Sequence, residues 1–251
     1  VDAAVASGKL MSFANTACTG LRIENGRIQG VETTKGYIAA DHVVVCAGLW
    51  GRLIAGMAGE DLPIMPVDHP LTFFKPYLEF TGTGKDIGYP LLRDQGNSAY
   101  LRDTGDPKTP EGGQIEWGYY EEKNPRMCHP RDLLEKEQAR LSPSQRDLEL
   151  DQIMAPLERA IELTPILAEL GYDDKYSFNG LLQVTTDGGP SIGESQKVRG
   201  LWYAVAIWVK DGPGMGKLIA DWMTDGRTEI DHNRIDYSRF YPHQMSEQYI
   251  H

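Results

Sequence analysis

Three glycines within five residues stand at the junction of a predicted strand and a predicted helix. The junction reads Gly212-Pro213-Gly214-Met215-Gly216 and follows an apolar run at residues 201–206. Glycines let a ligand approach the backbone closely. The main-chain N–H groups at a helix start, together with the helix dipole, favour negative charge nearby. This junction therefore predicts a site for an anionic or electron-rich ligand.

Two common phosphate-binding patterns do not fit this junction. The P-loop pattern needs a glycine five residues before its last glycine and Ser or Thr after its lysine, but this chain has Asp211 and Leu218 there. The dinucleotide-binding pattern needs a third glycine where Lys217 stands. A plain helix start with turn glycines remains the alternative on local sequence alone.

Charge and cysteine usage argue against several classes of function. The 36 acidic and 25 basic side chains give a formal charge of −11, which opposes nucleic-acid and anionic-membrane partners. Cys18, Cys46 and Cys128 form no Cys-x-x-Cys pair, so we expect a reducing compartment and no structural metal. The apolar runs are too short to span a bilayer, which predicts a soluble protein.

The elements around the junction are predicted to form two lobes interleaved in sequence. A β-meander at residues 10–40 leads into the apolar stretch 42–46, which is typical of a strand buried on both faces of a parallel sheet. Aromatic and proline-rich alternation at residues 64–126 predicts an antiparallel sheet. Residues 130–170 show helical spacing with a break at Pro165.

Further strands are predicted at residues 178–184 and 201–206, and helices at residues 50–59 and 213–224. We therefore expect a mixed α/β (α+β) fold. The predicted boundaries are residues 1–60 and 178–226 for one lobe, 61–177 for the other, and 227–251 for a C-terminal tail.

Four segments resemble the FAD-dependent D-amino-acid-oxidase-like superfamily in their order and spacing. They are Val43-Val44-Val45-Cys46-Ala47-Gly48-Leu49-Trp50-Gly51, Phe178-Asn179-Gly180, Thr186-Asp187-Gly188-Gly189-Pro190 and the junction at 212–216. Within the superfamily the chain is most similar to the branch of dimethylglycine oxidase, dimethylglycine dehydrogenase and sarcosine dehydrogenase. Residues 16–20, 25–28, 192–195 and 238–240 agree with that branch, and the resemblance covers nearly the whole chain.

The resemblance implies a partial FAD-binding Rossmann-like lobe interleaved with an antiparallel-sheet substrate lobe. The family's amino-terminal Gly-x-Gly-x-x-Gly segment and its carboxyl-terminal folate-binding domain lie outside this sequence, so we expect an internal segment of a longer protein. The implied location is the bacterial cytoplasm or the mitochondrial matrix. The reduced flavin carries negative charge near its pyrimidine edge, which suits the glycine-bearing helix start.

The resemblance also identifies candidate catalytic and substrate-binding residues. His69, with an ordinary pKa of about 6.5, could accept the proton of a substrate ammonium, and Asp68 could orient it. Tyr100 could bond a carboxylate or shape the pocket. Arg93 and Arg102 could each bind a substrate carboxylate. The structural alternatives are a surface histidine, a packing tyrosine and surface arginines.

The same resemblance identifies candidate cofactor contacts. Cys18 corresponds to a backbone contact near the adenosine part, and Gly48 with Trp50 corresponds to a turn that passes the flavin. The segment along the isoalloxazine edge consists of Val209, Lys210, Asp211 and Gly212, followed by Pro213 and Gly214. The charged pair at positions 210 and 211 departs from the small or polar residues expected there.

The leading functional hypothesis is an FAD-dependent enzyme acting on CH–NH bonds. It would oxidise a secondary or tertiary N-methyl amine, such as dimethylglycine or sarcosine, by hydride transfer to flavin. Oxygen or an electron-transfer flavoprotein would accept the electrons, and tetrahydrofolate could take the methylene through a domain outside this sequence. The alternatives are a non-catalytic fragment or degenerate homologue that serves binding or assembly, and a glycine- or proline-type amine oxidase.

Overall fold

The computed structural model describes residues 1–80, 89–105, 112–120, 126–136 and 144–245. It divides into two compact units: Val1–Met65 with Gln183–His251, and Pro66–Leu182. Parts of the predicted antiparallel sheet (81–88, 106–111 and 121–125), of the predicted helical region (137–143) and of the C-terminal tail (246–251) lie outside the described residues.

Runs of strands are interrupted by helices along the chain, which makes this a mixed α/β (α+β) fold. The helices are α1 (Asp2–Ala6), α2 (Gly51–Met57), α3 (Pro130–Lys136), α4 (Leu150–Leu163), α5 (Ile166–Leu170) and α6 (Gly212–Asp225). The strands are β1 (Cys18–Glu24), β2 (Arg27–Thr33), β3 (Gly36–Ala39), β4 (Val43–Val45), β5 (Ile64–Phe74), β6 (Leu92–Asp94), β7 (Ala99–Asp103), β8 (Ile115–Tyr119), β9 (Gln145–Arg146), β10 (Tyr172–Thr185), β11 (Ser191–Glu194) and β12 (Leu201–Val205).

Strands β1, β2 and β3 form the predicted β-meander. Asn25 and Gly26, at the turn between β1 and β2, have φ angles of 50° and 70°. Two consecutive positive φ angles are the geometry of a type I′ hairpin turn, which the Asn-Gly pair favours. The local sequence therefore determines this part of the first unit.

A second sheet in the first unit has the order β11-β12-β4. Strand β12 pairs in parallel with β4, and Tyr203 lies opposite Val45. The predicted parallel pairing is confirmed, but the prediction that β4 is buried on both faces is wrong because Val44 is 37% exposed. Val44 lies on the opposite face of β4 from the buried Val45, and among the described strands β4 is at the edge of this sheet.

A six-stranded sheet forms most of the second unit, in the order β6-β7-β8-β5-β10-β9. The pairs β6–β7, β7–β8 and β8–β5 are antiparallel, as the alternating aromatic pattern predicts. One face of this sheet packs against α4 and α5, and we call it the helix face. Its buried core comprises Phe74, Ala99, Ile115, Trp117 and Tyr119 from the strands and Ile153, Ala160 and Leu167 from the helices.

The tight turn between β10 and β11 is held by an arginine from the C-terminal region. Arg239 donates through Nε and Nη2 to the two carboxylate oxygens of Asp187 at 2.7 and 2.9 Å. Its Nη2 also lies 3.2 Å from the carbonyl oxygen of Gly189. Two sequence segments that resemble the superfamily, 186–190 and 238–240, therefore bind each other within the first unit.

We expect Asp187→Asn to remove an acid-sensitive part of the stability. Hydrogen bonds from Arg239 lower the pKa of Asp187 to about 2, whereas an unfolded aspartate has a pKa of about 4. The stabilisation is therefore present above pH 4 and is lost as the pH falls towards 2. Because the Asp187 side chain is 46% exposed, solvent weakens the ion pair. We therefore expect Asp187→Asn to lower the free energy of unfolding by about 1 kcal/mol, which is less than the full pKa shift would give.

Urea unfolding at several pH values tests this expectation. The difference in free energy of unfolding between the native chain and Asp187→Asn should be largest at pH 6 and should decrease towards pH 2. Asp174→Asn, at an exposed strand position, is the control. Equal stability of Asp187→Asn and the native chain at pH 6 would show that this ion pair contributes nothing.

Within the described ranges, no helix is both long enough and apolar enough to cross a membrane.

Candidate active site

The second face of the six-stranded sheet carries the predicted catalytic residues, and we call it the site face. Arg93 on β6 lies opposite Tyr100 on β7, and Tyr100 lies opposite Gly118 on β8. Gly118 in turn lies opposite Leu71 on β5. Paired residues point to the same face, as do residues two apart on one strand, so His69 shares this face.

His69 and Tyr100 are in direct contact, although 31 positions separate them in the sequence. Nε2 of His69 lies 3.1 Å from the Tyr100 hydroxyl oxygen. The ring of Tyr120 stacks on the His69 ring, with 4.7 Å between centroids and 27° between planes. The Tyr100 and Tyr120 rings are 5.8 Å apart. The structure thus brings together the two predicted catalytic residues and adds a third aromatic ring.

Burial changes the acid–base properties of this group. Desolvation lowers the pKa of His69 to about 4, partly opposed by a hydrogen bond with the Tyr119 main chain. This differs from the ordinary value expected from sequence, because the packed aromatic rings penalise the imidazolium. Desolvation, with the nearby Tyr120 and Glu116, raises the pKa of Tyr100. At neutral pH the imidazole and the phenol are therefore both uncharged.

Asp68 does not orient the His69 ring, contrary to the expectation from sequence. Adjacent residues of a strand point to opposite faces, so the Asp68 carboxylate lies on the helix face. It is 8% exposed, accepts a bond from Gln152 Nε2 at 2.8 Å and lies 3.5 Å from Nη1 of Arg146. Asp68 is therefore part of the packing between β5 and α4.

His69 is instead held through its main chain by a buried amide. Asn179, which is 2% exposed, accepts a hydrogen bond from the His69 main-chain N–H at 2.9 Å. The Asn179 amide nitrogen donates to Gln152 Oε1 at 3.2 Å, and Gln152 donates to Asp68. A chain of hydrogen bonds therefore connects β10, α4 and β5 at the position of the candidate base.

We expect Asn179→Leu to lower the free energy of unfolding by about 2 kcal/mol, because it leaves the His69 N–H and the Gln152 oxygen without these partners. Chemical denaturation measures the change. Asn233→Leu, at an exposed position, provides the matched control and should alter stability far less. A loss equal to that of the control would contradict the proposed contribution of this amide.

The two candidate arginines differ in their availability for a ligand. Arg102 donates to Glu116 at 2.6 Å, and the Glu116 side chain is only 10% exposed, so this guanidinium neutralises a protein carboxylate. Arg93 is exposed, donates through Nε to Gln95 at 2.6 Å, and lies over the Tyr120 ring at 5.0 Å. Its two terminal nitrogens take no part in that bond. The geometry favours Arg93 as the carboxylate-binding residue.

The predicted cofactor residues of the first unit lie mainly at one edge of its parallel strand pair. Since β4 and β12 are parallel, they end at the same edge, which is where ligands bind in open α/β sheets. Gly48 follows β4 with φ of 56°, and Ala206 follows β12 with φ of 54°. Gln183 lies beside both turns: its Oε1 accepts from the Ala206 N–H at 2.8 Å, and its Nε2 lies 3.6 Å from where a Gly48 Cβ would be.

The outer side of the bend that follows Ala206 is open, although Ile207 packs against the hydrophobic core. Val209 is 97% exposed, and no described atom lies within 4 Å of a Cβ built on Gly212, Gly214 or Gly216. Lys210 and Asp211 pair with each other at 2.8 Å. Helix α6 begins at Gly212 with Pro213 in its first turn and without a side-chain cap, which leaves main-chain N–H groups available.

Trp50 and Cys18 are the remaining predicted cofactor residues. Trp50 lies beside Gly48, and its indole Nε1 is buried without a hydrogen-bond partner in the described part of the chain. Cys18 begins β1 in the separate antiparallel sheet, and its Sγ lies 3.7 Å from the Gly20 carbonyl oxygen. No cluster of His, Cys, Asp and Glu suited to a metal ion occurs among the described residues.

Sequence reasoning missed four residues that shape the surroundings of His69 and the strand-end turns of the first unit: Gly118, Tyr120, Asn179 and Gln183. The alternation of residues 114–120 gave a usable signal, because it places Glu116, Gly118 and Tyr120 on one face of a strand whose other face is apolar. The roles of Asn179 and Gln183 depend on contacts with residues 110 and 23 positions away, which no local pattern predicts.

Proteins of known activity resemble the chain over most of its length. Human mitochondrial dimethylglycine dehydrogenase is 26% identical over 224 residues, which cover 88% of this chain and 25% of that protein. Mouse mitochondrial sarcosine dehydrogenase is 28% identical over 253 residues, which cover 98% of this chain and 25% of that protein. The chain therefore spans about a quarter of the length of these curated relatives.

A solved structure shows the same fold. L-proline dehydrogenase from P. horikoshii superposes with a TM-score of 0.67 at 24% identity, covering 90% of this chain and 54% of that one. This likeness confirms the mixed α/β architecture with antiparallel sheets. The family model described as FAD dependent oxidoreductase matches residues 2–222. Because that match covers most of the 251 residues, the chain belongs to the FAD dependent oxidoreductase family.

Proposed function

We propose that the protein oxidises a secondary or tertiary N-methyl amine that carries a carboxylate, in the manner of dimethylglycine or sarcosine. The observation that supports this most strongly is the desolvated His69–Tyr100 hydrogen bond on the same sheet face as Arg93. Such a face combines groups that can take an amine proton with a cation that can bind a carboxylate. The relatives named for dimethylglycine and sarcosine agree with this substrate class.

The residues of the first unit fit the isoalloxazine side of FAD. The open space over Gly212, Gly214 and Gly216 allows close approach to the backbone, and the uncapped start of α6 offers N–H donors to an electron-rich edge. The left-handed turn at Gly48 lies at the same sheet edge. When bound, FAD supplies the hydride acceptor.

The site face has to deliver the substrate as a neutral amine, because an ammonium nitrogen has no lone pair with which to stabilise the developing iminium. We assign the neutral His69 ring as acceptor at Nε2, with the Tyr100 hydroxyl donating to it. The Tyr100 oxygen then keeps lone pairs for the substrate N–H. The proton passes from the amine nitrogen to the Tyr100 oxygen while the phenol proton passes to His69 Nε2.

The low pKa of His69 is compatible with this role. Desolvation that lowers the imidazole pKa to about 4 also disfavours the charged form of an amine bound beside it. Burial therefore lowers the pKa of donor and acceptor together, so the low imidazole pKa does not by itself oppose the transfer. Arg93 binds the substrate carboxylate, which holds the substrate on the site face.

Anaerobic mixing of the flavin-loaded full gene product with candidate amines tests the proposal. We expect bleaching of the flavin absorbance with dimethylglycine or sarcosine, and slower bleaching with glycine or proline. Faster bleaching with glycine or proline would overturn the N-methyl assignment in favour of an amine oxidase of that type. A purified protein without flavin bands that does not take up FAD would favour a non-catalytic binding or assembly module.

A further inference from the structure

The ring of Tyr100 lies directly across Gly118 on the neighbouring strand. A Cβ built on Gly118 would be 2.4 Å from both Cζ and the hydroxyl oxygen of Tyr100, and 3.0 Å from Cε1. Contacts below 3 Å do not occur between real Cβ atoms and other heavy atoms, so any side chain at position 118 would displace this ring. The absence of a side chain is therefore a condition for the observed ring position.

Strand order explains why the ring takes this path. Tyr100 is on β7 and His69 is on β5, with β8 between them. Two strand spacings amount to about 10 Å, so a tyrosine that stood upright from β7 could not reach a side chain on β5. The ring reaches His69 Nε2 at 3.1 Å because it lies over the middle strand at its one glycine within Ile115–Tyr119.

We infer that Gly118 is a positioning residue, which opens the path by which the Tyr100 hydroxyl reaches His69. Its backbone lies in the extended strand and is not in the left-handed region, so glycine is not required there by its φ angle. The atoms in conflict are at the far end of a flexible side chain. An alanine can therefore be accommodated by movement of the ring, at small cost to the sheet and at the expense of the hydrogen bond. This inference rests on the proposed function only for the catalytic consequence.

The test combines Gly118→Ala with Tyr100→Phe in the flavin-loaded full gene product. Gly118→Ala should lower kcat/KM for the N-methyl amine by about 10- to 100-fold, since it breaks the hydrogen bond but keeps the hydroxyl. Tyr100→Phe removes the hydroxyl as well and should lower kcat/KM by about 10²- to 10³-fold. The double variant should be no worse than Tyr100→Phe, because the two changes act through one contact. Gly56→Ala, at a glycine whose added Cβ would meet no described atom, is the matched control and should leave turnover unchanged.

A second measurement is independent of turnover. NMR of 15N-labelled histidine should show a changed Nε2 chemical shift for His69 in Gly118→Ala and in Tyr100→Phe, because Nε2 loses the Tyr100 hydroxyl, but not in Gly56→Ala. An unchanged Nε2 shift in Gly118→Ala would overturn the inference. A changed shift in a protein that does not oxidise N-methyl amines would support the positioning role and contradict the proposed function.

A third variant addresses the possibility that Gly118→Ala fails to fold. In the Tyr100→Ala background there is no ring to displace, so adding Gly118→Ala should then be tolerated. Recovery of the folded state in this double variant would support the inference. Continued failure to fold would show that the glycine is needed for another reason and would overturn it.

Discussion

His69→Asn is expected to lower kcat/KM for the N-methyl amine by about 10²- to 10³-fold, the usual contribution of a positioned acid–base group. Asparagine can still accept a hydrogen bond from Tyr100, but it cannot take a proton near neutral pH. The amine must then lose its proton to water before oxidation. Stopped-flow measurement of flavin bleaching reports this step directly, while the absorbance spectrum reports whether FAD is retained.

The control for this variant is His42→Asn, at an exposed position in the first unit. His69→Asn should also change the dependence of stability on pH. Because the folded pKa of His69, about 4, lies below the unfolded value of about 6.5, the native chain loses stability as the pH falls between those values. The variant should lack that loss, which we expect to be on the order of 2 kcal/mol. Turnover equal to that of the His42 control would contradict the assignment of His69 as proton acceptor.

Arg93→Met should raise KM for a carboxylate-bearing amine by about 10- to 100-fold while leaving kcat nearly unchanged, because a charge-assisted hydrogen bond to a bound carboxylate contributes about 1.5–3 kcal/mol. The exposed Arg93 guanidinium, held by Gln95 and the Tyr120 ring, needs no rearrangement to bind that group. Steady-state kinetics with dimethylglycine, compared with the corresponding amine that lacks a carboxylate, isolates the effect. The second substrate should show no KM difference.

Arg102→Met provides the matched comparison on the same sheet face. It leaves the Glu116 carboxylate, only 10% exposed, without its ion-pair partner. We therefore expect a fall of about 2 kcal/mol in the free energy of unfolding, with little change in KM. The opposite result, in which Arg102→Met raises KM and Arg93→Met lowers stability, would reverse the roles that the structure favours.

Local sequence was sufficient for the elements whose pattern is set by short-range chemistry. The Asn25-Gly26 hairpin and the helix end at Gly226, with φ of 69°, follow from turn and capping preferences. Pro165 lies between α4 and α5 as predicted, since a proline disfavours a helical conformation at the residue before it. These features require no knowledge of the rest of the chain.

Features that depend on pairing across the sheet were predicted less well. The apolar run at β4 suggested burial on both faces, but the layers packed on the assembled sheet decide that, and Val44 is exposed. Adjacency in sequence suggested that Asp68 orients His69, whereas strand alternation sends the two side chains to opposite faces. The lowered pKa of His69 arises from rings 31 and 51 positions later in the chain.

The resemblance to a known superfamily located the candidate residues but not their mutual geometry. It paired His69 with Tyr100 without indicating that the contact crosses a strand at Gly118. It also ranked Arg93 and Arg102 alike, because their difference lies in the partner Glu116 on a third strand. Register, which sets these partners, is a property of the assembled sheet.

In the six-stranded sheet, residues that pack in the hydrophobic core and residues that face the candidate active site occupy different positions along a strand. On β8, the side chains of Trp117 and Tyr119 point into the hydrophobic core, whereas position 118 and the following Tyr120 face the opposite side. Glu116 also faces that side, but its ion pair with Arg102 stabilises the sheet. Substitutions at 117 and 119 should therefore impair folding, whereas substitutions at 118 and 120 should alter reactivity. Positions of the second kind allow substrate preference to change while the hydrophobic core stays intact.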